Sequence, residues 1–361
     1  MQPAPREVSF GAVAGWVPVG SKRIVVRVDG RVAADRKLAG RHFSLRLALP
    51  ARDAAVTVTA HADGGRRSSA TVTEVYGLPA AARPTGAVAH EDAALARTVR
   101  RLAGGFHGTA GVYVEDMRTG SGAAWNARAR FPAGSTLKLA IAVTVLSRLE
   151  GKPAPGSRVD SLMSSMLTVS DNEAANALET WLAGSTSAGS AVVNEVMTAL
   201  GLRDSLMYGG YARSLAAVRP SIPLRIESAP AFGLGKYSTA ADLSRLARLI
   251  YLRAAGRGPG LHPSVTGFTP ADARYLLWRL ARVRDHGKLD RFVGGTVLHK
   301  AGWLATARHD NGIVVWGGGV FVATVLTWNA GGVGFASDVL AGRVAQAAQL
   351  RFRSANFAQR E

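Results

Sequence analysis

Ser135 and Lys138 stand three residues apart in Phe131 to Ala140 (FPAGSTLKLA), at the head of an apolar stretch that runs to Leu149. On a helix such positions share a face, so the lysine would stand one turn from the serine hydroxyl. That pairing suits nucleophilic attack. A helix N-terminus offers unpaired N–H groups that stabilise an oxyanion. A lysine held against apolar surroundings has its neutral form favoured, and a neutral amine can take the serine proton. The same spacing also fits a plainer arrangement: a serine that caps a helix, followed by a lysine whose head reaches out to water.

Two more groups follow in order. Ser170-Asp171-Asn172 lies within MLTVSDNEAANAL, in a helical region, and Lys300-Ala301-Gly302 follows Thr296-Val297-Leu298. S-x-x-K, S-D-N and a late lysine motif together resemble the class A β-lactamases and penicillin-binding proteins, in which the third motif is K-T-G. The resemblance spans Glu91 to Leu350. It implies an α+β fold, a layered α/β/α β-lactamase-like domain with an antiparallel sheet. It also implies a serine hydrolase acting on amide bonds of β-lactams or peptidoglycan-derived peptides. In that scheme Ser135 is the nucleophile and Lys138 its proton partner. Ser170 passes a proton to the leaving nitrogen. Asn172 touches Lys138 and the substrate amide, and Lys300 sits beside Ser170 and attracts the substrate carboxylate. Gly302 and Trp303 border the substrate, with the N–H groups of Ser135 and Trp303 as the oxyanion hole. The resemblance also implies an extracellular or cell-envelope location, although Met1 to Val19 does not read as a leader.

The chain departs from the family at two places. Ala301 lacks the hydroxyl of K-T-G, which leaves carboxylate binding to another group, with Arg308 the candidate. The E-x-x-L-N stretch that carries the deacylating glutamate of class A enzymes is absent. Between Gly201 and Ser238 the only acidic residues are Asp204 and Glu227, so Glu227 is the possible deacylation base. Without a placed base, slow deacylation is expected. The alternative is a penicillin-recognising or wall-associated binding protein with little or no turnover.

Other polar residues take plainer readings. Glu173 complements a helix start. His299 adjoins Lys300 but faces the other side of a strand, and His309-Asp310 resembles a turn or strand end. No metal-ligand spacing occurs, so neither metal nor cofactor is expected. The absence of cysteine removes thiol and disulfide chemistry.

The elements that must position these residues fall into two parts. Residues 1–80 read as short alternating strands: Lys22 to Val28 closed by Asp29-Gly30, His42 to Leu49, Val56 to Ala60 and Ser69 to Val75. Their spacing suggests a small all-β, immunoglobulin-like sandwich domain. Residues 81–90, rich in Pro, Ala and Gly, read as a linker. Residues 91–361 form the serine hydrolase domain. Within it, helices are expected over Glu91 to Ala103, Thr136 to Leu149, Ala241 to Leu252, Pro270 to Val283 and Ser337 to Leu350. A hairpin is expected over Gly111 to Asn126, and strands over Gly312 to Trp316 and Val320 to Trp328. The net charge of +19, from 44 basic and 25 acidic residues, favours anionic partners such as cell-wall polymers. The arginines are scattered without interleaved aromatics, which argues against nucleic acid.

Overall fold

The structure is a computed structural model; it describes residues 1–211, 235–258 and 265–358, with side chains to residue 355. Glu227 lies outside the described residues.

The first part contains seven strands: β1 (Glu7–Ser9), β2 (Ala12–Trp16), β3 (Ser21–Val28), β4 (Arg31–Lys37), β5 (His42–Arg46), β6 (Asp53–Ala62) and β7 (Arg67–Gly77). They form a five-stranded sheet, β1-β7-β6-β3-β4, and a two-stranded sheet, β2-β5. The alternation in the sequence is the cause. Ile24, Val26, Val56, Val58 and Val75 point to one side and pack with Val13, Val17 and Phe43. Asp29 and Gly30 both take positive φ at the β3–β4 turn, as the Asp-Gly pair requires.

The second part begins with β8 (His90–Glu91) and α1 (Ala93–Gly104), then β9 (Thr109–Asp116), β10 (Ser121–Trp125) and β11 (Phe131–Pro132). Four helices follow: α2 (Lys138–Arg148), α3 (Arg158–Thr168), α4 (Asn172–Ala183) and α5 (Thr186–Ala199). Then come β12 (Tyr237–Ser238), α6 (Ala240–Ala254) and α7 (Pro270–Leu280). Three long strands, β13 (Thr296–Leu304), β14 (Ala307–Trp316) and β15 (Gly319–Trp328), lead to α8 (Phe335–Ala358). The main sheet has the order β13-β14-β15-β9-β10-β8 and is antiparallel except for the β8–β10 pair. An early and a late strand of this part therefore meet in the middle of one sheet, β9 beside β15.

Period-two alternation in β15 creates the layers. Phe321, Ala323 and Val325 face α1 and α8, meeting Leu95, Val99, Val344 and Phe352. Val320, Val322 and Leu326 face the larger core with α2, α6 and α7. Both faces are covered, so the strand is apolar throughout. Helix α2 enters that core with Leu139 to Leu146 all buried, as a helix apolar on every side must. Helix α7 starts with a capping box between Thr269 and Asp272, and Pro270 occupies its first turn.

Residues 81–90, read from composition as a linker, run docked along the second part. Ala82 is fully buried and its carbonyl accepts from Tyr251. Arg248 donates to Ala87, and Thr85 N–H donates to Met117. The two parts also share core and charge. Val8 and Leu78 belong to the larger core. Arg6 pairs with Asp160 (2.8 Å), Glu7 bridges Lys152 (2.7 Å) and Arg274 (2.6 Å), and Asp53 takes Arg282 and the Trp278 indole.

Candidate active site

Ser135 sits in the tight turn between β11 and α2, not in the helix itself. Gly134 takes φ +52 there, a left-handed conformation natural to glycine. A Cβ on Gly134 would lie 3.0 Å from the Trp303 amide nitrogen, and one on Gly302 would lie 2.7 Å from the Ser135 nitrogen. The Ser135 turn and the end of β13 are thus pressed backbone to backbone. This sets the amides of Ser135 and Trp303 beside each other, as an oxyanion hole needs. The capping alternative is not what forms: α2 begins after Leu137 without a side-chain cap. Ser135 is half-buried, and its hydroxyl makes no hydrogen bond among the described residues.

Several contacts fix that turn. Strand β11 pairs with β12, and Ala133 N–H donates to the Lys236 carbonyl (2.8 Å). Buried His309 lies 2.6 Å, through Nε2, from the Pro132 carbonyl, and its Nδ1 accepts from Thr327 N–H. Burial pushes the His309 pKa down to about 4, so the ring stays neutral, Nε2 carries the proton and the donor pattern is fixed. His309 and Asp310 were expected at a turn or strand end. They lie inside β14, where alternation sends His309 to the Pro132 end of the Ser135 turn and Asp310 to the opposite face. There Asp310 pairs with His299 (2.8 Å). Burial works against the charged imidazole of His299, but the Asp310 carboxylate outweighs it and its pKa is raised.

Lys138 is fully buried in the first turn of α2, so its head does not reach solvent. Its Nζ donates to the Ser170 carbonyl (2.5 Å) and to Asn172 Oδ1 (2.6 Å), and lies 3.4 Å from Ser170 Oγ. Burial, then the nearby Lys300, lowers its pKa to about 7. Lys300 Nζ donates to Ser170 Oγ (2.9 Å) and to the Ala301 carbonyl. Burial brings its pKa to about 8. Ser170 therefore touches both lysines. It lies in the bend between α3 and α4 rather than in a helix, at φ +62. Asp171 holds that bend, capping α4 through the Glu173 and Ala174 amides and accepting from Ser165. A non-glycine residue in this region is strained, and such strain collects at functional sites.

The structure thus brings together Ser135, Lys138, Ser170, Asn172, Lys300, Gly302 and Trp303. Arg308 is engaged elsewhere: both arms of its guanidinium bind Asp338 at the start of α8 (2.6 and 2.7 Å). Ala301 is buried and brings no hydroxyl. Sequence reasoning missed His309, Tyr211, Lys236 and Glu179. Only His309 had a usable cue, the unbroken strand pattern around it; the others are single polar residues without a motif. Among the described residues no group of acidic or histidine side chains is arranged to hold a metal.

A family model for the beta-lactamase enzyme family matches residues 94–155 and 151–350, and the chain belongs to that family. Among solved structures, PBP-A is similar over 75% of this chain and 100% of its own, at 18% identity and a TM-score of 0.59. The β-lactamase from Sphaerobacter thermophilus is 20% identical over 71% of this chain and 96% of its own, with a TM-score of 0.55. The class A β-lactamase from Mycobacterium abscessus is 19% identical over 72% and 99%, with a TM-score of 0.56. At such identities the likeness establishes the β-lactamase fold. A search of curated proteins gave no match.

Proposed function

We propose that this protein is a serine hydrolase of the cell envelope, acylated at Ser135 by β-lactams or by peptidoglycan-type peptides, and slow to release the acyl group. One observation carries the reading: the Ser135 turn lies against the Gly302–Trp303 backbone, while Lys138 and Lys300 converge on Ser170. In the acylation step, Ser135 gives its proton to neutral Lys138, and its Oγ bonds to the carbonyl carbon. The amides of Ser135 and Trp303 hold the oxyanion. As the C–N bond breaks, the proton passes through the Ser170 hydroxyl to the leaving nitrogen. Lys300 attracts the substrate carboxylate. Water must then cleave the ester. A general base contributes about 10²–10⁴-fold to such a step, and among the described residues no carboxylate hydrogen-bonds to Ser135 or Lys138. That favours accumulation of the acyl-enzyme. PBP-A, a fold relative, forms an acyl-enzyme with penicillin G in a variant form. The reading extends to anionic wall polymers as partners of the basic surface.

Intact-protein mass spectrometry after mixing with a β-lactam panel tests this. The expected result is an adduct on Ser135 that outlasts the mixing by minutes and is absent from Ser135→Ala. An adduct that survives in Ser135→Ala refutes the nucleophile, and burst-free rapid turnover refutes slow release.

A further inference from the structure

A third lysine of this region, Lys236, lies half-buried just ahead of β12 and has no part in the chemistry above. Its Nζ donates to the carbonyls of Tyr208 (3.0 Å) and Gly210 (2.7 Å). It also stands 4.3 Å from the centre of the Tyr211 ring. The same ring lies 4.7 Å from Lys138 Nζ. One aromatic side chain therefore borders both ammonium groups, and it is nearly buried. Helix α4 fixes this arrangement with one stripe of side chains. Asn172, Asn176 and Glu179 follow one another at spacings of four and three, so they share a face. Asn172 holds Lys138. Asn176 clamps the Tyr211 backbone in both directions, donating to its carbonyl (2.9 Å) and accepting from its N–H (2.5 Å). Glu179 is fully buried, accepts from Ser190 Oγ (2.7 Å), and keeps Oε2 without a hydrogen-bond partner among the described residues.

We propose that Lys236 is a positioning residue for acylation: sharing the Tyr211 ring with Lys138, and with buried Glu179 as counter-charge to both lysines, it sets the pH at which Lys138 becomes the neutral amine that takes the Ser135 proton. This rests on the reading of Ser135 as the nucleophile. Among the described residues, four charges act on Lys138. Lys300 on β13 and Lys236 oppose its protonation; Asp171 and Glu179, at the cap and in the body of α4, favour it. Burial adds to the opposition and is the largest effect. Burial likewise brings Lys236 down to about 8, against the pull of Glu179, and lifts Glu179 to about 7. Glu179 and Lys236 titrate together, so a proton in this range belongs to the pair rather than to either group. The Tyr211 hydroxyl stays protonated throughout, because burial raises it well above its ordinary value.

The test follows Lys138 directly, with ¹³Cε-labelled lysine and NMR titration, its signal assigned by Lys138→Arg. The pH profile of acylation by a chromogenic cephalosporin is the second readout. Removing the Lys236 charge relieves repulsion, so Lys236→Met raises the Lys138 midpoint by about 0.5 to 1 in pH, and acylation at neutral pH falls about two- to sixfold. Lys236→Arg keeps the charge and restores the wild-type midpoint. Glu179→Gln removes an attraction, so the midpoint moves down instead. A loss of packing alone would not move the two variants in opposite directions. An unmoved Lys138 midpoint in folded Lys236→Met overturns the proposal, as does movement of both variants the same way. If Glu179→Gln does not fold, the Met and Arg variants of Lys236 decide. Should the wild-type protein never acylate, the nucleophile reading fails, while the NMR midpoints still judge this one.

Discussion

Where the N-terminal strands meet the helices, the buried carboxylates of Asp160 and Glu7 have partners of opposite sign. Asp160 accepts from Arg6, Arg279 and Tyr275, and Glu7 lies between Lys152 and Arg274. Around Ser135 the partners are different in kind. Lys138, Lys300 and Lys236 all donate to neutral oxygens: backbone carbonyls, a serine hydroxyl, an asparagine amide. A carboxylate partner fixes both position and charge, because losing the proton would break the pair. A neutral acceptor fixes position but leaves the charge free to change. The first design suits a joint between two parts, and the second suits a proton carrier.

Of these charged groups, Lys138 should matter most to acylation. Lys138→Met removes the proton acceptor and should slow β-lactam acylation about 10²–10⁴-fold, with little loss of stability. Stopped-flow acylation kinetics give the number; a loss of less than tenfold would mean that another group accepts the Ser135 proton.

At the joint, the largest effect should be on stability instead. Asp160→Asn leaves Arg6 and Arg279 buried without their carboxylate, which should cost about 3–5 kcal/mol. Urea unfolding measures it, and acylation of the folded fraction should be unchanged. The pH dependence has a definite sign. Burial raises the Asp160 pKa, but hydrogen bonds from Tyr275 and Arg279 outweigh it and hold the carboxyl below its ordinary 3.8. Its contribution is therefore complete above that value and is lost as pH falls through the lower folded value. Wild type and Asp160→Asn should converge in stability in that acid range. Parallel stability curves throughout acid pH would show that this carboxylate is not what holds the joint.

The smallest effect is expected at Arg308. Its pairing with Asp338 is partly exposed, so Arg308→Ala should cost about 1 kcal/mol or less. Acylation should be unaffected. A marked rise in the β-lactam concentration needed for half-maximal acylation would instead put Arg308 in carboxylate binding, the role expected from its nearness to Ala301 in the sequence.

The three chemical motifs, the buried helix behind Ser135 and most strands were legible because each depends on residues within a few positions of one another. Spacing of three joins Ser135 to Lys138, and alternation of two assigns Val320 to Trp328 to both faces of a sheet. The docking of residues 81–90 was not legible, since their composition says only that no regular element forms there. Nor could sequence show that Arg308 turns to Asp338, thirty residues on. His309 behind Pro132, Ser170 between two lysines, and Lys236 and Lys138 around one tyrosine ring were likewise decided only in the fold. The reason is physical. Local spacing fixes which face a side chain occupies, but a proton affinity depends on burial and on charges brought within several ångströms. In this protein those charges come from chain segments that meet only when the sheet and helices close around the site.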